Sequence, residues 1–540
     1  MTPCGLMLET SAESGCQSCR LPGDLLSMLC SFLDHSDLPS FALVDKLHNE
    51  ICTPILYRTV RLLYRSAVES CLRTLAADPE TLSFGRDLAA LVRDFFLSEH
   101  WRADRGSGPA NIQDTRELLA ASLERMTNVR IVRCKEPLTG LGILGPLLTT
   151  PHRNLKSLDM RMCILEAPDL ISKELEERLS DADLPLPQLT AFTVRIDHLP
   201  TPAITSLLHH LIASRANVID HLGLVTANSK FVEEVIPSLA LFPALQHLEV
   251  ATSQLALPGF GHMTTVRSLI VRDLVSHFSH LPNIPDTHWP MLESLACPLR
   301  IVPFFLPRHR SARRPISTLR LNFVSYEQDY GDASIDYSPR WADILAAIRC
   351  VGHSAVPLKH LHLQAQPDDL KRFAQMLPYL PKLETLVIAL TESPTQSSVM
   401  AFGKAFIAKL PYLHTLLFSD VLRKFYRRNA AFLFARDLDM QRRCLAEYRR
   451  HSSALRRVAF TTELEWEKGN DGVWYPSRLP RKGKPDIEEN DLWVGSDYSD
   501  DSDASERGYH DDDDSEDYEE SDEDDPDEID FAAEAVHWVS

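Results

Sequence analysis

Apolar residues recur along most of this chain in one short spacing, apolar-x-x-apolar-x-apolar. It occurs at Val129-Val132-Cys134, Leu155-Leu158-Met160, Leu189-Phe192-Val194, Ile219-Leu222-Leu224, Leu245-Leu248-Val250 and Val266-Leu269-Val271. It returns at Leu292-Leu295-Cys297, Ile316-Leu319-Leu321, Leu358-Leu361-Leu363, Leu383-Leu386-Ile388, Leu413-Leu416-Phe418 and Leu455-Val458-Phe460. Successive copies begin 21 to 42 residues apart, most of them 24 to 30. The last two positions of each copy alternate as in a half-buried strand, and the first anchors the chain as it enters that strand. Helix-compatible sequence, such as 205–213 and 369–377, separates several copies. One such unit cannot bury its own apolar side, so the pattern predicts a stack of strand-plus-helix repeats. The alternative left open is an ordinary α/β domain with parallel strands, which would carry fewer and longer apolar strands. Residues 325–340, acidic and tyrosine-bearing, read as a surface loop. Gly469-Asn470-Asp471-Gly472, between aromatic segments, reads as a hairpin turn that caps the open end of the stack.

Upstream the periodicity changes. Residues 1–19 show none and are expected to be disordered. Leu21, Leu25, Leu29 and Phe32 or Leu33 recur every three to four residues, which predicts one apolar helix face. Asp37-Leu38-Pro39 supplies a cap-like Asp with Pro in the first turn. A second helix should follow, with Phe41, Val44 and His48 on one side and Leu43, Leu47 and Ile51 on the other. Thr53-Pro54 is expected to restart the chain into an extended segment. The predicted organisation is a helical module at 20–60, a helical linker at 61–125, the repeats and their cap at 126–475, and a tail at 486–540.

Charge separates the tail from the rest. The net charge is −20, yet residues 486–540 hold 25 acidic residues against Arg507 alone. Residues 1–485 hold 55 Lys+Arg and 51 Asp+Glu, so the body is close to neutral. Within it, Arg423 to Arg457 carries eleven basic residues against Asp437, Asp439 and Glu447. That stretch reads as a solvated helix face, an import signal, or a docking surface whose intramolecular partner is the acidic tail. The tail itself reads as a disordered solubilising segment or as that partner. Phe531, Ala535 and Trp538, at i, i+4 and i+7, suit a short amphipathic helix. Eleven scattered cysteines, the lack of a signal-peptide pattern and the lack of a membrane-length apolar run predict an intracellular protein of cytoplasm or nucleus.

Leu21-Pro22 with Asp24, Leu25-Leu26, Leu33, Asp37-Leu38, Ala42-Leu43-Val44 and Lys46 together resemble the F-box. That module of three helices binds the Skp-family adaptor of cullin ubiquitin ligases. Asp45 stands where the family usually has Cys or Ser, and Leu47 where it commonly has Trp. Pro54 and Leu56-Tyr57-Arg58 extend the likeness to fungal members, in which irregular leucine-rich repeats follow, and the repeat spacing here is similar to theirs. The resemblance implies a mixed α/β fold: an all-helical F-box, then a right-handed leucine-rich-repeat solenoid, then a disordered acidic tail. It implies that Leu21, Pro22, Leu25, Leu26, Leu38, Leu43 and Val44 present apolar surface to the adaptor. For Leu25, Leu29 and Leu33 the competing expectation is a place in the module's own core.

The function expected is therefore recognition without catalysis: a substrate-recognition subunit of an SCF-type ligase, with the adaptor, a cullin and an unidentified client as partners and no cofactor. The alternative is a repeat scaffold outside the ligase system whose acidic tail serves basic partners such as histones. Gly140-Leu141-Gly142-Ile143-Leu144-Gly145 matches the dinucleotide fingerprint literally. Pro146 and Pro151 should interrupt the helix that has to meet the pyrophosphate, so a repeat turn is expected there. Cys16 and Cys19, with Cys4 and Cys30 at a distance, lack the second close pair of a zinc site. His209, His210, His277 and His280 lack a companion carboxylate motif and read as helix histidines. The basic stretch lacks a nucleic-acid-binding signature, so nucleic acid is not an expected partner.

Overall fold

The computed structural model describes residues 22–33, 37–62, 65–80, 86–97, 109–134, 140–150, 152–162, 186–196, 202–226, 228–236, 242–272, 284–285, 287–307, 313–322, 340–390, 394–420, 437–460 and 464–478. Outside the described residues lie segment 1–19 with Cys4, Cys16 and Cys19, as well as Leu21, His277, His280, 325–339, 423–436 and 486–540 with Phe531, Ala535 and Trp538. In each of the twelve apolar triplets the middle residue lies on a strand and the first lies two residues before that strand begins, and all members are buried to 8% exposure or less. The described chain forms two compact units, one up to Ala244 and one from Leu245. Both are mixed α/β.

The first unit opens with α1 (Gly23–Phe32), α2 (Leu38–Ala42) and α3 (Lys46–Leu56). Six strands follow: β1 (Thr59–Leu62), β2 (Asp94–Leu97), β3 (Ile131–Cys134), β4 (Ser157–Met162), β5 (Ala191–Ile196) and β6 (His221–Thr226). Between and after them run α4 (Arg65–Ala76), α5 (Pro109–Arg125), α6 (Gly140–Thr149), α7 (Pro202–Arg215) and α8 (Ser229–Val235). Every strand pairs parallel with the next in chain order. The register never slips: Thr59, Asp94, Ile131, Ser157, Ala191 and His221 are successive partners. Inward side chains such as Val60, Phe95, Val132, Leu158, Phe192 and Leu222 therefore stack as one buried column, each worth about 1.5–3 kcal/mol of burial.

The second unit repeats the scheme with β7 (His247–Ala251), β8 (Ser268–Arg272), β9 (Ser294–Pro298), β10 (Thr318–Asn322), β11 (His360–Ala365), β12 (Thr385–Leu390), β13 (Thr415–Asp420) and β14 (Arg457–Ala459), all parallel. Its helices are α9 (Val302–Phe305), α10 (Trp341–Val351), α11 (Gln396–Ala405) and α12 (Leu438–His451), with a 3-10 stretch at Pro367–Tyr379. The last parallel strand is covered by a hairpin, β15 (Leu464–Lys468) and β16 (Trp474–Arg478), which pairs antiparallel to it. Gly472 turns that hairpin at φ 77°, a conformation that glycine adopts without a Cβ penalty. Trp466 of β15 is fully buried and its indole N–H donates to Gln441 Oε1 of α12 at 2.6 Å. Tyr448 of α12 donates to the Val399 carbonyl at 3.0 Å. Its ring lies so close to Gly403 that a Cβ there would meet it at 2.5 Å. Only glycine lets α11 and α12 approach this far.

Several expectations need correction. Segment 61–125 is more than a helical linker, because β1 and β2 belong to the sheet and begin the stack at residue 59. Tyr57-Val60-Leu62 and Val92-Phe95-Leu97 are two further copies of the apolar spacing. Phe41 to Ile51 is two helices, broken at 43–45. Helix α3 runs through Pro54 instead of restarting there. Proline removes the N–H that would bond the Glu50 carbonyl, and the Arg86 guanidinium donates to that carbonyl at 3.5 Å instead. Helix α6 likewise runs through Pro146. The glycine-rich segment is thus helix, where a turn was expected, and its glycines form no phosphate-cradling loop ahead of a helix. Among the described residues no helix is long and apolar enough to cross a membrane.

One buried cation holds the turns of the second unit together. Arg314, 2% exposed, donates to the carbonyls of His288 at 3.1 Å, Phe305 at 2.9 Å and Pro285 at 3.1 Å. Beside it Trp289 sits at φ 49°, a left-handed conformation that costs about 1–3 kcal/mol for such a residue. The clamp on both flanking segments holds Trp289 there, with its ring centroid 6.1 Å from Phe260 and 6.0 Å from Phe305. Arg314→Met should lower the denaturant stability of this unit by at least about 3 kcal/mol, because the carbonyls lose their donors inside the fold. Arg314→Lys should fall between, since an ammonium cannot reproduce the planar fork. Chemical denaturation followed by tryptophan fluorescence checks both.

Candidate docking surfaces

Helix α1 is apolar on two sides, and among the described residues only one of them packs against protein. Leu26 (3% exposed) and Cys30 (1%) pack with Leu38, Ala42 and Cys52, while Leu33, Phe41, Ile51, Ile55 and Leu56 close around them. The Cys30 and Cys52 sulfurs stand 3.3 Å apart. Burial pushes the Cys52 thiol up to about 12, with Cys30 adding to the effect, so this pair is inert core. The second stripe is Leu25 (42% exposed), Met28 (51%), Leu29 (41%) and Phe32 (79%), at i, i+3, i+4 and i+7. Leu43 (59%), Val44 (62%) and Leu47 (39%) are exposed at the α2–α3 turn. Of the thirteen exposed large hydrophobics among the described residues, seven thus fall between Leu25 and Leu47. Such concentration marks an interaction surface, unlike single apolar residues scattered over a protein.

The residues expected to present this surface divide accordingly. Pro22, Leu25, Leu43 and Val44 are exposed. Leu26 and Leu38 are buried and cannot present it; they are the hydrophobic contacts that join α1 to α2 and α3. Leu25 and Leu29 are surface, whereas Leu33 packs against the core. Met28, Leu29, Phe32 and Leu47 lie outside the expected adaptor-facing set. On α1 the predicted apolar face, Leu25, Leu29 and Phe32, is the exposed stripe, and Met28 joins it at helical spacing; Leu47 joins it from α3.

Asp45 has a local task. It sits at φ −163° and its Oδ1 accepts the His48 backbone N–H at 2.9 Å, capping α3. That hydrogen bond is the first cause holding its carboxyl below the ordinary 3.8; the His48 side chain adds to it. A serine can cap in the same way.

The sheet of the first unit carries the other surface. In the register described above, Arg61 pairs with Phe96, and Phe96 with Arg133. The Arg61 guanidinium carbon lies 5.2 Å from the Phe96 ring centroid and that of Arg133 lies 5.4 Å from it. Two cations thus bracket one aromatic ring, each contact worth about 0.5–1 kcal/mol at an exposed site. One residue before each strand, Arg58, Arg93, Arg130 and Lys156 follow one another through Arg93 N–H to Arg58 O at 2.9 Å, Arg130 to Arg93 at 2.6 Å, and Lys156 to Arg130 at 2.8 Å. All four are exposed. Neighbouring strands stand about 4.8 Å apart, and like charges side by side at that spacing oppose folding. The same row in the second unit is balanced, with Arg267 on Glu293 at 2.9 Å and Lys359 on Glu384 at 2.9 Å. Among the described residues no ion pair balances the four cations of the first unit, so the uncompensated column belongs there. The sequence does not display it, because its four members come together only when β1 and β2 pair with β3 and β4.

Other singled-out residues take structural places. His209 and His210 are half-buried on α7, with His209 Nδ1 3.0 Å from the Glu234 carbonyl. Among the described residues no three His, Cys, Asp or Glu side chains are grouped to hold a metal ion.

Phe32→Ser should leave unfolding stability within about 0.5 kcal/mol of the parent, as surface changes do. Leu26→Ala and Leu38→Ala should each cost about 2–5 kcal/mol; urea titrations of the three variants separate the two classes. Asp45→Ala should lower the melting midpoint at neutral pH, and Asp45→Ser should retain it. The Asp45 carboxyl is held below 3.8, so its contribution is present above that value and disappears as pH falls through the lower folded-state value. Melting curves of parent and Asp45→Ala should therefore converge in acid.

No protein-family model matches this chain, and no curated protein matches it. Among solved structures it is similar to the crystal structure of the Rad7 and Elc1 complex in yeast, at a TM-score of 0.31 and 11% sequence identity, over 81% of this chain and 87% of that one. A likeness of that degree assigns neither a family nor a partner.

Proposed function

We propose that the protein is a non-catalytic substrate-recognition subunit of a cullin ubiquitin ligase, acting in cytoplasm or nucleus. Its helical module would serve as an F-box, docking a Skp-family adaptor through Pro22, Leu25, Met28, Leu29, Phe32, Leu43, Val44 and Leu47. The observation that carries this reading is the two-sided α1, with a closed core on one stripe and four large apolar side chains exposed on the other. Burying each of these against a partner is worth about 1.5–3 kcal/mol before the costs of association. The stacked repeats, read as a leucine-rich-repeat solenoid, would hold the client. The cation column and the Arg61–Phe96–Arg133 sandwich suit an acidic client segment, whose charge would relieve their mutual repulsion. Rate enhancement in such a subunit is proximity: client lysines held near the charged enzyme at high effective concentration.

The deciding experiment is an affinity pull-down of the full chain and of Leu25→Asp/Phe32→Asp, probed for the Skp-type adaptor and the cullin. The parent should capture both, and the variant should lose capture at least about tenfold with its unfolding midpoint unchanged. A folded parent that captures neither overturns the ligase reading and leaves the scaffold for basic partners in its place. Arg93→Glu/Arg133→Glu should keep adaptor capture and lose ubiquitination of acidic clients in a reconstituted reaction.

A further inference from the structure

At the closed end of the second unit, α12 and the β15–β16 hairpin leave an open groove of about 570 Å³ between them. Leu445, Ala446, Val473 and Trp474 supply its apolar lining, and Arg442, Arg449 and Arg450 its charge. Val473 is 47% exposed. Among the described residues the arginines meet neighbours on their own helix or on the hairpin. Arg442 lies 3.0 Å from Asp439 and stacks 5.7 Å above the Trp466 ring. Arg450 lies 2.9 Å from Glu447, which also takes His451 at 2.9 Å, and Arg449 acts on Asp471 of the hairpin turn. Pairs three residues apart on an exposed helix are weak and exchange readily for a better acceptor. With Arg443 also exposed on α12, four arginines stand against Asp439, Glu447 and Asp471. The groove is a cationic rim around an apolar floor.

We propose that this groove is occupied in cis by the chain's own segment 486–494, Asp-Ile-Glu-Glu-Asn-Asp-Leu-Trp-Val. The inference stands apart from the ligase reading, and three observations carry it. The first is chemistry: this segment combines four carboxylates, Asp486, Glu488, Glu489 and Asp491, with Ile487, Leu492, Trp493 and Val494. The strongly acidic run 511–528 has no aliphatic side chain to fill the floor. The second is where the charge changes sign. Arg481, Lys482 and Lys484 continue the chain beyond β16, and only from Asp486 does it turn acidic. The basic connection is repelled by the arginines while the segment after it is attracted.

The third is reach. Trp474, in the groove wall, lies on the same strand as Arg478, four residues away, or about 14 Å at strand rise. The eight steps from Arg478 to Asp486 can span up to about 26 Å, so the segment folds back without strain. A short tether also gives it a high effective concentration at the groove.

The test uses the full chain, the variant Leu492→Ala/Trp493→Ala, and a fluorescein-labelled peptide of sequence 486–494 followed by anisotropy at low salt. The parent should bind the peptide weakly because its groove is filled. The variant, emptied in cis, should bind at least about tenfold more tightly, and Arg449→Glu/Arg450→Glu in the variant background should abolish the gain. Hydrogen exchange should agree: amides of 442–450 and 473–476 should exchange faster in the variant than in the parent, while those of β11 and β12 stay unchanged. Equal peptide binding by parent and variant, or binding by neither, overturns the proposal. So does a gain indifferent to the arginine changes, or an exchange effect seen only on mutating Phe531 and Trp538, which would assign the groove to the final residues.

Discussion

A strand of three to six residues with one buried side cannot exist alone, and everything in this molecule follows from how that shortage is met. Each strand hydrogen-bonds to the next in unchanged register within its unit, so equivalent positions fall into columns. The inward columns exclude water and supply the stabilisation. Stacking of this kind leaves an end with unpaired backbone groups. The β15–β16 hairpin covers β14 antiparallel, and Trp466, donating to Gln441, ties that cover to α12. Turns between strands are tied down by the Arg314 clamp in one place and by the contact of Gly403 with Tyr448 in another.

The same columns decide what the surface offers. Outward positions are repeated at strand spacing, so any residue type recurring there is multiplied into a stripe. In the second unit the stripe alternates in sign and neutralises itself across strands. In the first unit it is four cations long and adjoins a ring held between two guanidinium groups. Repulsion along such a column is a folding cost that no ion pair among the described residues offsets, and an anionic partner would relieve it. The helical module shows the apolar counterpart of that logic. Its core is complete with Leu26, Cys30, Leu38, Ala42 and Cys52, yet α1 spends a second stripe of large side chains on solvent.

Much of this architecture was legible in the residue pattern. All twelve triplets lead into strands because buried positions in a repeated unit must be apolar at fixed spacing, whatever the intervening sequence. The hairpin was legible because Gly-Asn-Asp-Gly has few other conformational uses. Strands β1 and β2 carry the same spacing, but Tyr57 lies in the turn that leaves α3 and Val92 directly follows a short 3-10 turn, so local helix signals masked them. Prolines at 54 and 146 looked like breaks because the cost of a missing N–H is visible in sequence, while a compensating donor such as Arg86 is not.

Composition and spacing by themselves thus determined the stack, its mixed helix–strand make-up and the charge division between body and tail. Periodicity could not decide which stripe of α1 would be core. Leu25-Met28-Leu29-Phe32 and Leu26-Cys30-Leu33 are both apolar at helical spacing, and only the arrival of Leu38 and Cys52 from other helices buries one of them. Nor could the sequence align Arg58, Arg93, Arg130 and Lys156, which lie 26 to 37 residues apart. That column exists only once strands pair in register, because proximity across a sheet is set by hydrogen bonding between chains of contacts far apart in sequence.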